Sequence, residues 1–509
     1  MKLRRISTLG LFVMFGVALT SSAVYGQRGT DTAKDPVAEA DEKILAEIHE
    51  HNEIMSNLEY LSDVIGARLT GTENLKKAND WIRQKFADYG VANPHLEPWT
   101  VAHTWTRVSA TGQIVSPSVH TLTIASYAWA PSTNGAVRGH VVYVKARTLD
   151  DLTQYKGKLK DAIVISAEPS LIPAPDQPAP DPVDLPYGDS FLLVAPRRPD
   201  AEPAYGPDFR KFLQARSAFF KEEGVLATLT DSGKPDGLLN MTGMGGRTYD
   251  IAAIPAAFVS SESYGMIWRL LQRGPVEVEL NIANSIGDKP TEVYNTVAEI
   301  RGSEKPDEIV ILGAHLDSWD LGEGTTDNGT GSMIVLEAAR ALQKLGLRPK
   351  RTIRFLLFSG EEQGLVGSRT YVAAHKDELP KISAALIHDT GTGRVVSISL
   401  MRNYQDREVM DKVVAPLHSL GLLELTQRWM TGSDHASFEE AGVPGFFCLQ
   451  EPAQYFQTHH TQADTFDQAR EADLVEGAQV MAAWAYNVAQ LPDLLPRKPA
   501  AVSGATAGN

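Results

Sequence analysis

Residues 308–331 read EIVILGAHLDSWDLGEGTTDNGTG and join a continuously apolar run to a glycine-rich loop. The loop carries one histidine and four acidic residues, namely His315, Asp317, Asp320, Glu323 and Asp327. An apolar run that does not alternate with polar residues is typical of a strand buried on both faces of a parallel sheet. The segment therefore predicts a buried strand that ends at a cluster of polar side chains.

Further apolar runs follow along the chain, and helical patterns separate them. The runs are TIRFLLF (352–358), AALIH (384–388) and VPGFFCL (443–449), and the helical patterns cover 331–346, 366–379 and 474–491. Continuously apolar strands that alternate with helices are typical of α/β proteins. We therefore predict a mostly parallel central sheet flanked by helices, which begins near residue 291.

The composition argues against a nucleic-acid partner and excludes an intrachain disulfide bond. The net charge is −15, and no run of Lys and Arg occurs outside the extreme N-terminus, so the sequence predicts no nucleic-acid partner. The chain has one cysteine, Cys448, and therefore no intrachain disulfide. Because Cys448 lies within an apolar strand pattern, we expect a buried thiol there.

The first 26 residues have the layout of a cleaved secretory signal. Lys2, Arg4 and Arg5 precede an apolar stretch over residues 9–19, and small residues follow. No later segment approaches the roughly 20 apolar residues that a transmembrane helix needs. We predict a protein that is exported, either secreted or periplasmic, and that has no membrane span after signal cleavage.

Histidine and carboxylate side chains follow the predicted strands at their carboxyl ends. The first run is followed by His315, the second by Glu361 and Glu362, the third by Asp389, and the fourth by a loop with His459 and His460. In open α/β sheets the binding crevice lies beyond the carboxyl ends of the strands. Imidazole and carboxylate groups suit Zn²⁺, and a pair of neighbouring ions needs about five ligands with one bridging carboxylate. This arrangement predicts a zinc site.

The spacing of these residues indicates different roles. Asp327 precedes a helix, whose positive dipole end favours a carboxylate, and its oxygens could bridge the ions. We expect Asp317 to hold the His315 imidazole in its ligating tautomer. One of Glu361 and Glu362 would bind metal while the other acts as a general base. Each residue alone also fits a structural role, such as a helix cap for Asp327, and only their joint placement favours a metal site.

Five motifs in this order resemble those of the co-catalytic di-zinc exopeptidases, the family of bacterial secreted aminopeptidases. They are HLDSWDLGEGTTDNGTG, SGEEQGLVGS, HDTG, GSDHASF and HHTQADT. The resemblance implies two zinc ions, short peptides as substrates, a possible homodimer, and a defined set of site residues. In that set His315 and Asp389 hold one ion, Glu362 and His460 hold the other, Asp327 bridges them, and Glu361 is the general base.

His460 rather than His459 is the expected ligand, because the family pattern HTQADT begins at His460. Asp320 and Glu323 are expected to be ordinary loop residues. His435, in the motif GSDHASF, lies in a loop that is close to the substrate pocket in this family. A substrate contact by His435 is therefore a hypothesis beside a purely structural role.

At 509 residues the chain is long enough for more than one domain. From about residue 100 the sequence changes to short β-rich runs, and eleven of the 29 prolines lie between residues 169 and 207. This segment resembles the protease-associated domain that relatives insert. The predicted limits are 1–26 for the signal, 27–124 for the first part of the peptidase domain, 125–285 for the insertion, 286–495 for the catalytic domain and 496–509 for a disordered tail.

Several alternatives remain open at this stage. A glutaminyl cyclase, an acyltransferase with one zinc, would not need both His315 and Asp389. A receptor-like binding protein would be expected to have lost ligands, and a third class, di-zinc exopeptidases with a separate lid domain, spaces the first histidine and the bridging aspartate farther apart. The sequence does not distinguish an aminopeptidase or dipeptidase from a carboxypeptidase that acts on dipeptide-like substrates. Cobalt or manganese could also occupy such ligands.

Overall fold

A computed structural model describes residues 35–172, 207–243, 248–422 and 424–498. The predicted signal, most of the proline-rich stretch and the chain from residue 499 onwards lie outside these residues. No helix within the described ranges is long and apolar enough to cross a bilayer.

The described strands are numbered in chain order. They are β1 (Ala92–Val101), β2 (Trp105–Ser116), β3 (His120–Leu122), β4 (Ile124–Ser126), β5 (Val137–Tyr143), β6 (Ile163–Ile165), β7 (Ala227–Asp231), β8 (Ala256–Val259), β9 (Glu277–Ile286), β10 (Thr291–Ile300), β11 (Lys305–His315), β12 (Arg351–Phe358), β13 (Ile382–Ile387), β14 (Val395–Ser399), β15 (Glu424–Thr426) and β16 (Gly445–Gln450).

The described helices are numbered in the same way. They are α1 (Pro36–His51), α2 (Ile54–Glu59), α3 (Glu73–Asp88), α4 (Leu149–Thr153), α5 (Pro207–Glu222), α6 (Ser261–Leu271), α7 (Thr330–Lys344), α8 (Val366–Ala374), α9 (Arg407–Val414), α10 (His435–Glu440), α11 (Tyr455–Thr458) and α12 (Glu471–Gln490). Short π or 3-10 turns lie at Tyr60–Ile65, Thr325–Gly329, Leu379–Lys381, Tyr404–Asp406, Ala415–Leu420 and Phe466–Gln468.

The first sheet has the order β1-β10-β12-β11-β13-β16-β14-β15. Its central strands β12, β11, β13 and β16 are parallel, whereas β1, β10 and β14 join through antiparallel pairs. The four apolar runs of the sequence are these four central strands. The predicted fold class, an α/β protein with a mostly parallel central sheet, is therefore confirmed.

Both faces of this sheet are covered, which explains why its strands do not alternate. In β11, Val310 and Leu312 belong to a core with α1, α3, α7 and α12, while Ile309 and Ile311 belong to a second core that includes side chains of α8 and α10. Successive strand residues point to opposite faces, so every position of a doubly covered strand must be apolar. The central strands are thus packed on both faces up to the ends that carry the predicted ligands.

The second sheet has the order β3-β2-β9-β5-β6-β7-β8-β4 and its own apolar core. Its strands run from Trp105 to Ile286, so it begins about twenty residues before the limit of 125 expected for the insertion. We keep the division of the chain into domains as a proposal and place the start of the insertion near residue 104. Another apolar cluster joins the two sheets. It includes Trp129 from this segment and Trp319 from the loop after β11.

Candidate metal centre

The register of the parallel strands brings the predicted ligands to the same edge of the first sheet. Gly313 of β11 pairs with Ile387 of β13, so His315 and Asp389, each two residues farther on, stand side by side at the same sheet edge. The end of β12 lies on the other side of β11, where His315 pairs with Phe358. The glutamates that follow β12 therefore reach the same edge.

The first group of side chains surrounds the imidazole of His315. Its Nε2 atom lies 3.0 Å from Oδ1 of Asp389 and 3.3 Å from Oδ1 of Asp327. The potential ligand atoms of these three buried residues lie within 4.8 Å of one another. One cation could therefore contact all three.

The second group lies on the other side of Asp327. Nε2 of His460 is 2.9 Å from Oε2 of Glu362 and 3.4 Å from Oδ2 of Asp327. His459 stacks on His460 with 3.6 Å between ring centroids, and its own Nε2 is 3.8 Å from Oδ2 of Asp327. The expected ligands Glu362 and His460 are thus together, and His459 is a further imidazole beside them.

The residues of both groups suit a pair of zinc ions. Asp327 faces the first group with Oδ1 and the second with Oδ2. Among the described residues, Oδ2 of Asp327 and Oε1 of Glu362 are buried side-chain oxygens without a hydrogen-bond partner. Buried carboxylate oxygens need a compensating partner. Two imidazole and three carboxylate groups around one shared aspartate are of the donor types that zinc prefers.

The surroundings of His315 determine which ring nitrogen binds metal. Nδ1 lies 2.9 Å from the backbone oxygen of Asp317, and donation to that oxygen leaves Nε2 as the ligand atom. Burial lowers the pKa of His315, but the carboxylates of Asp389, Asp317 and Asp327 outweigh it and hold this pKa well above its usual value. A cation bound at Nε2 would compete with a proton for this ring.

Asp317 acts on more than the imidazole that it was expected to orient. Its carboxylate is 3.7 Å from Nδ1 of His315 and accepts from the backbone N–H groups of Glu361 and Glu362 at 3.2 and 3.4 Å. It also accepts from the hydroxyl of Thr70 at 3.0 Å. Through these bonds Asp317 fixes the turn that presents both glutamates.

Among the described residues, the carboxylate of Glu361 forms no ion pair with His315 or His460, whereas that of Glu362 lies 2.9 Å from Nε2 of His460. Glu361 is 8% exposed. Burial raises its pKa well above the usual value, and the carboxylates of Asp389, Glu362 and Asp434 add to this effect, whereas His315 opposes it. Bound cations would also oppose it. A raised pKa makes a carboxyl group a better proton acceptor and fits the role of a general base.

Two residues that the sequence did not single out shape the loop that carries Asp327. Arg68 is fully buried and donates to backbone oxygens of Leu316, Glu323 and Gly324 at 2.5 to 2.9 Å. Gly324 has a φ of +67°, and a Cβ atom there would lie 2.3 Å from Cβ of Ser318. Only glycine fits this position, so the glycine-rich sequence and the distant arginine together determine the path of the loop.

Asp464 supports the bridging position directly. Its carboxylate accepts from the backbone N–H groups of Thr326 and Asp327 at 2.5 and 3.2 Å. It lies in the motif HTQADT, only four residues after His460, so the motif contained a signal for this role. One loop thus supplies a ligand and also holds the proposed bridge.

We expect Asp464→Asn to weaken metal binding by about 10- to 100-fold, the range for outer-shell partners of metal ligands. The amide oxygen of Asn can accept one of the two N–H bonds, but its NH₂ group cannot accept the other, and the side chain is uncharged. Competition with a chromogenic chelator measures the affinity. The matched control is Asp467→Asn on the same loop, since Asp467 is exposed. Equal affinity of the two variants would contradict this role.

His435 lies apart from these groups. It is fully buried at the start of α10, its ring is 4.7 Å from that of Phe447, and its Nε2 atom is 3.4 Å from the backbone oxygen of Met430. Burial lowers its pKa to about 4, so the ring is neutral at neutral pH. A substrate contact by His435 stays a prediction.

Tyr249, from the loop between β7 and β8, covers the turn that carries Glu361 and Glu362. The hydroxyl of Tyr249 donates to Oε1 of Gln363 at 3.2 Å, and a Cβ atom on Gly360 would lie 2.7 Å from that hydroxyl. Trp319 packs edge-on against His460 at 5.8 Å. The small cavity beside Asp327 and Glu362, of about 180 Å³, is also lined by Trp319 and Asp464. Tyr249 thus packs on the turn after β12, whereas the residues that line the cavity all lie between Trp319 and Asp464.

The chain is similar to several known peptidases. The model of peptidase family M28 matches residues 295–485. Carboxypeptidase Q of Bos taurus is 30% identical over 449 residues, which cover 88% of this chain and 87% of that protein. The crystal structure of a peptidase M28 precursor from Shewanella amazonensis has a TM-score of 0.73 and 28% identity, over 91% of this chain and 99% of that chain.

A zinc aminopeptidase from Bacillus subtilis has a TM-score of 0.59 and 18% identity, over 85% of this chain and 93% of that chain, and so shows the same fold. These matches confirm the resemblance to zinc exopeptidases that the five motifs indicated. They also confirm that the chain is an enzyme and a hydrolase. The chain belongs to peptidase family M28 and is a zinc-dependent metallopeptidase.

Proposed function

We propose that this peptidase is a di-zinc exopeptidase that acts on short peptides. The observation that supports this proposal most strongly is the position of Asp327, whose oxygens face two separate groups of ligand atoms. In this proposal His315 and Asp389 hold one ion, Glu362 and His460 hold the other, and Asp327 contacts both. His459 is close enough to Asp327 to stabilise its charge or to contact substrate.

Glu361 is the proposed general base and acid. Zinc supplies Lewis-acid chemistry at such a site, by polarising a carbonyl group and lowering the pKa of a bound water to about 7. Glu361 takes a proton from the attacking water and returns it to the leaving amine. The carboxylate of Asp317 accepts from the backbone N–H groups of Glu361 and Glu362 and so holds the turn that positions Glu361 for this transfer.

The size of the site favours short substrates. The empty space beside Asp327 measures about 180 Å³ with its open mouth included, and Trp319, Asp320 and Thr461 line it. Trp319 packs edge-on against His460 on one side of it, and the backbone N–H of Met241 donates to the backbone oxygen of His460. A long peptide chain in an extended conformation would need an open groove, so removal of terminal residues fits the cavity better than internal cleavage.

Which peptide terminus is recognised can be tested with matched substrates. Aminoacyl anilides, unblocked dipeptides and N-blocked dipeptides are incubated with the enzyme, with and without a metal chelator. Cleavage of anilides and unblocked dipeptides indicates an aminopeptidase, whereas cleavage of unblocked dipeptides alone indicates a dipeptidase. Cleavage of N-blocked dipeptides indicates a carboxypeptidase. Chelator-resistant cleavage, or none of any substrate, would contradict the proposed function.

We also propose export through the signal at residues 1–26, which lie outside the described residues. Residues 104–286 form the proposed inserted domain in this view. Assembly into a homodimer is a further proposal, and it rests on the family resemblance alone.

A further inference from the structure

Tyr249 reaches the turn of the two glutamates from a different part of the chain. It is 2% exposed and lies in the loop between β7 and β8 of the second sheet. Its ring packs edge-on against that of Trp129, with 5.2 Å between the centroids, and lies 5.9 Å from the ring of Trp99. The residue has a φ of +55°. A bulky residue in this left-handed region is strained, and such strain is common at functional sites, so the contacts of its hydroxyl group need an explanation.

The hydroxyl of Tyr249 holds the far side of this turn. It donates to Oε1 of Gln363 at 3.2 Å, which is the only hydrogen bond of that side chain within the described residues, since Nε2 of Gln363 is buried without a partner. A Cβ atom on Gly360 would lie 2.7 Å from the same hydroxyl and 2.6 Å from Cη2 of Trp99. The two glutamates, at positions 361 and 362, lie between Gly360 and Gln363. Tyr249 therefore contacts the residues on both sides of the pair.

The other supports of the turn come from the first sheet and its loops. The N–H group of Ser359 donates to Oδ1 of Asn295 in β10 at 3.1 Å. The carboxylate of Asp317 accepts from the N–H groups of both glutamates. These bonds hold the start of the turn and its backbone, whereas the side chain of Gln363 has its bond to Tyr249.

The hydroxyl of Tyr249 remains a donor in the neutral pH range. Burial raises its pKa well above the usual value, the carboxylates of Asp317 and Glu361 raise it further, and a hydrogen bond with Thr70 opposes them. Thr70 in turn donates to the carboxylate of Asp317 at 3.0 Å. Tyr249 and Asp317 are thus linked parts of one hydrogen-bond network around the turn.

The two glutamates depend on this support to different degrees. Oε2 of Glu362 lies 2.9 Å from Nε2 of His460, so this carboxylate has a partner outside the turn. The carboxylate of Glu361 forms no ion pair with His315 or His460 among the described residues. Its orientation therefore depends on the backbone of the turn. Proton transfer is sensitive to such placement, because a displacement of about 1 Å can lower a rate by about 100-fold.

We propose that Tyr249 is a positioning residue for the general base, which holds Gln363 and Gly360 so that the turn keeps the carboxylate of Glu361 in its reactive orientation. This inference rests on the proposed function and adds a residue to the same site. It also gives the second sheet a part in catalysis, because its loop supports the turn as well as covering it. Since Tyr249 acts through Glu361, its effect should fall on kcat.

The test measures hydrolysis of Ala-Leu by the metal-loaded enzyme and by Tyr249→Phe, a change that removes only the hydroxyl group. We expect kcat to fall by about 10- to 100-fold, the effect of a displacement of up to about 1 Å, while KM and metal content stay unchanged. A double-mutant cycle gives the sharpest readout. In the Glu361→Gln background, Tyr249→Phe should lower kcat no further, because its effect passes through Glu361.

The matched control is Tyr264→Phe. Tyr264 is 1% exposed in the core of the second sheet, and its hydroxyl donates to the backbone oxygen of Ala167 at 2.6 Å. Both variants lose one buried hydrogen bond, so their melting temperatures should fall by similar amounts, but only Tyr249→Phe should lose kcat. Gln363→Met removes the acceptor instead of the donor and should reproduce the kcat of Tyr249→Phe, so a folding failure of one variant does not prevent the test.

Equal kcat values for Tyr249→Phe and Tyr264→Phe would overturn the assignment. So would a loss by the same factor in the Glu361→Gln background, which would indicate a purely structural tyrosine. Loss of metal from Tyr249→Phe would also contradict it, because Glu362 would then be the residue that depends on the contact. Failure of the proposed function gives a different result, since the wild-type enzyme would not cleave Ala-Leu or Glu361→Gln would be fully active.

Discussion

Replacement of Glu361 by Gln is expected to lower kcat by about 10² to 10⁴-fold, because a positioned general base contributes that much to proton transfer. The amide has nearly the shape of the carboxyl group but cannot accept a proton from water. Since the carboxylate of Glu361 forms no ion pair with His315 or His460 among the described residues, metal content should stay unchanged. Steady-state kinetics together with elemental analysis of the purified variant measures both quantities.

The matched comparison is Glu362→Gln, one residue farther along the same turn. Oε2 of Glu362 lies 2.9 Å from Nε2 of His460, and its Oε1 atom is buried without a hydrogen-bond partner. This variant should therefore lose metal as well as activity. Full activity of Glu361→Gln, or a loss of metal equal to that of Glu362→Gln, would contradict the division of labour between the two glutamates.

The central part of the fold could be predicted from the sequence because its strands are buried on both faces. The four apolar runs correspond to β11, β12, β13 and β16. Strands β14 and β15 were not predicted, because they extend the sheet beyond its parallel centre and are short. In this region the pairing β14 to β16 is antiparallel, and hydrophobic pattern alone does not specify which edge an added strand joins.

The placement of the predicted ligands at one sheet edge was predictable because parallel strands end at the same side. The support around them was not, because it depends on contacts between distant parts of the chain. Arg68 is 256 residues from Gly324, whose oxygen it contacts, and Tyr249 is 114 residues from Gln363. No local pattern encodes such pairs. Asp464 differs because it belongs to the motif HTQADT. The motif alone does not show which backbone N–H groups donate to the Asp464 carboxylate.

Asp317 illustrates how much a local spacing can specify. A carboxylate two residues after His315 was expected to contact its imidazole. The closest contact of Nδ1 is instead the backbone oxygen of the same residue, at 2.9 Å, and the carboxylate reaches the turn after β12. The spacing places Asp317 near His315. Whether its backbone oxygen or its carboxylate contacts the imidazole depends on the turn that follows the neighbouring strand β12.

The second large effect is expected for Asp327→Ala. Because Asp327 faces both ligand groups, its loss should lower metal content below two ions and reduce activity by more than the roughly 10- to 100-fold effect of an outer-shell change. The cavity that the change leaves would be polar and open to water, so we expect the fold to persist, since the strands around it belong to the doubly covered core. Elemental analysis and thermal unfolding separate these effects.

The same loop provides the control. Asp320 lies seven residues before Asp327 and forms a two-point ion pair with Arg107 of β2, at 2.7 and 2.9 Å, so neither oxygen is available to a metal. Asp320→Asn should therefore retain the metal content of the wild-type enzyme, although it removes the same charge from the same loop. If Asp327→Ala also retained two equivalents of metal, Asp327 would not be the bridge, and the two ligand groups would have to be filled independently.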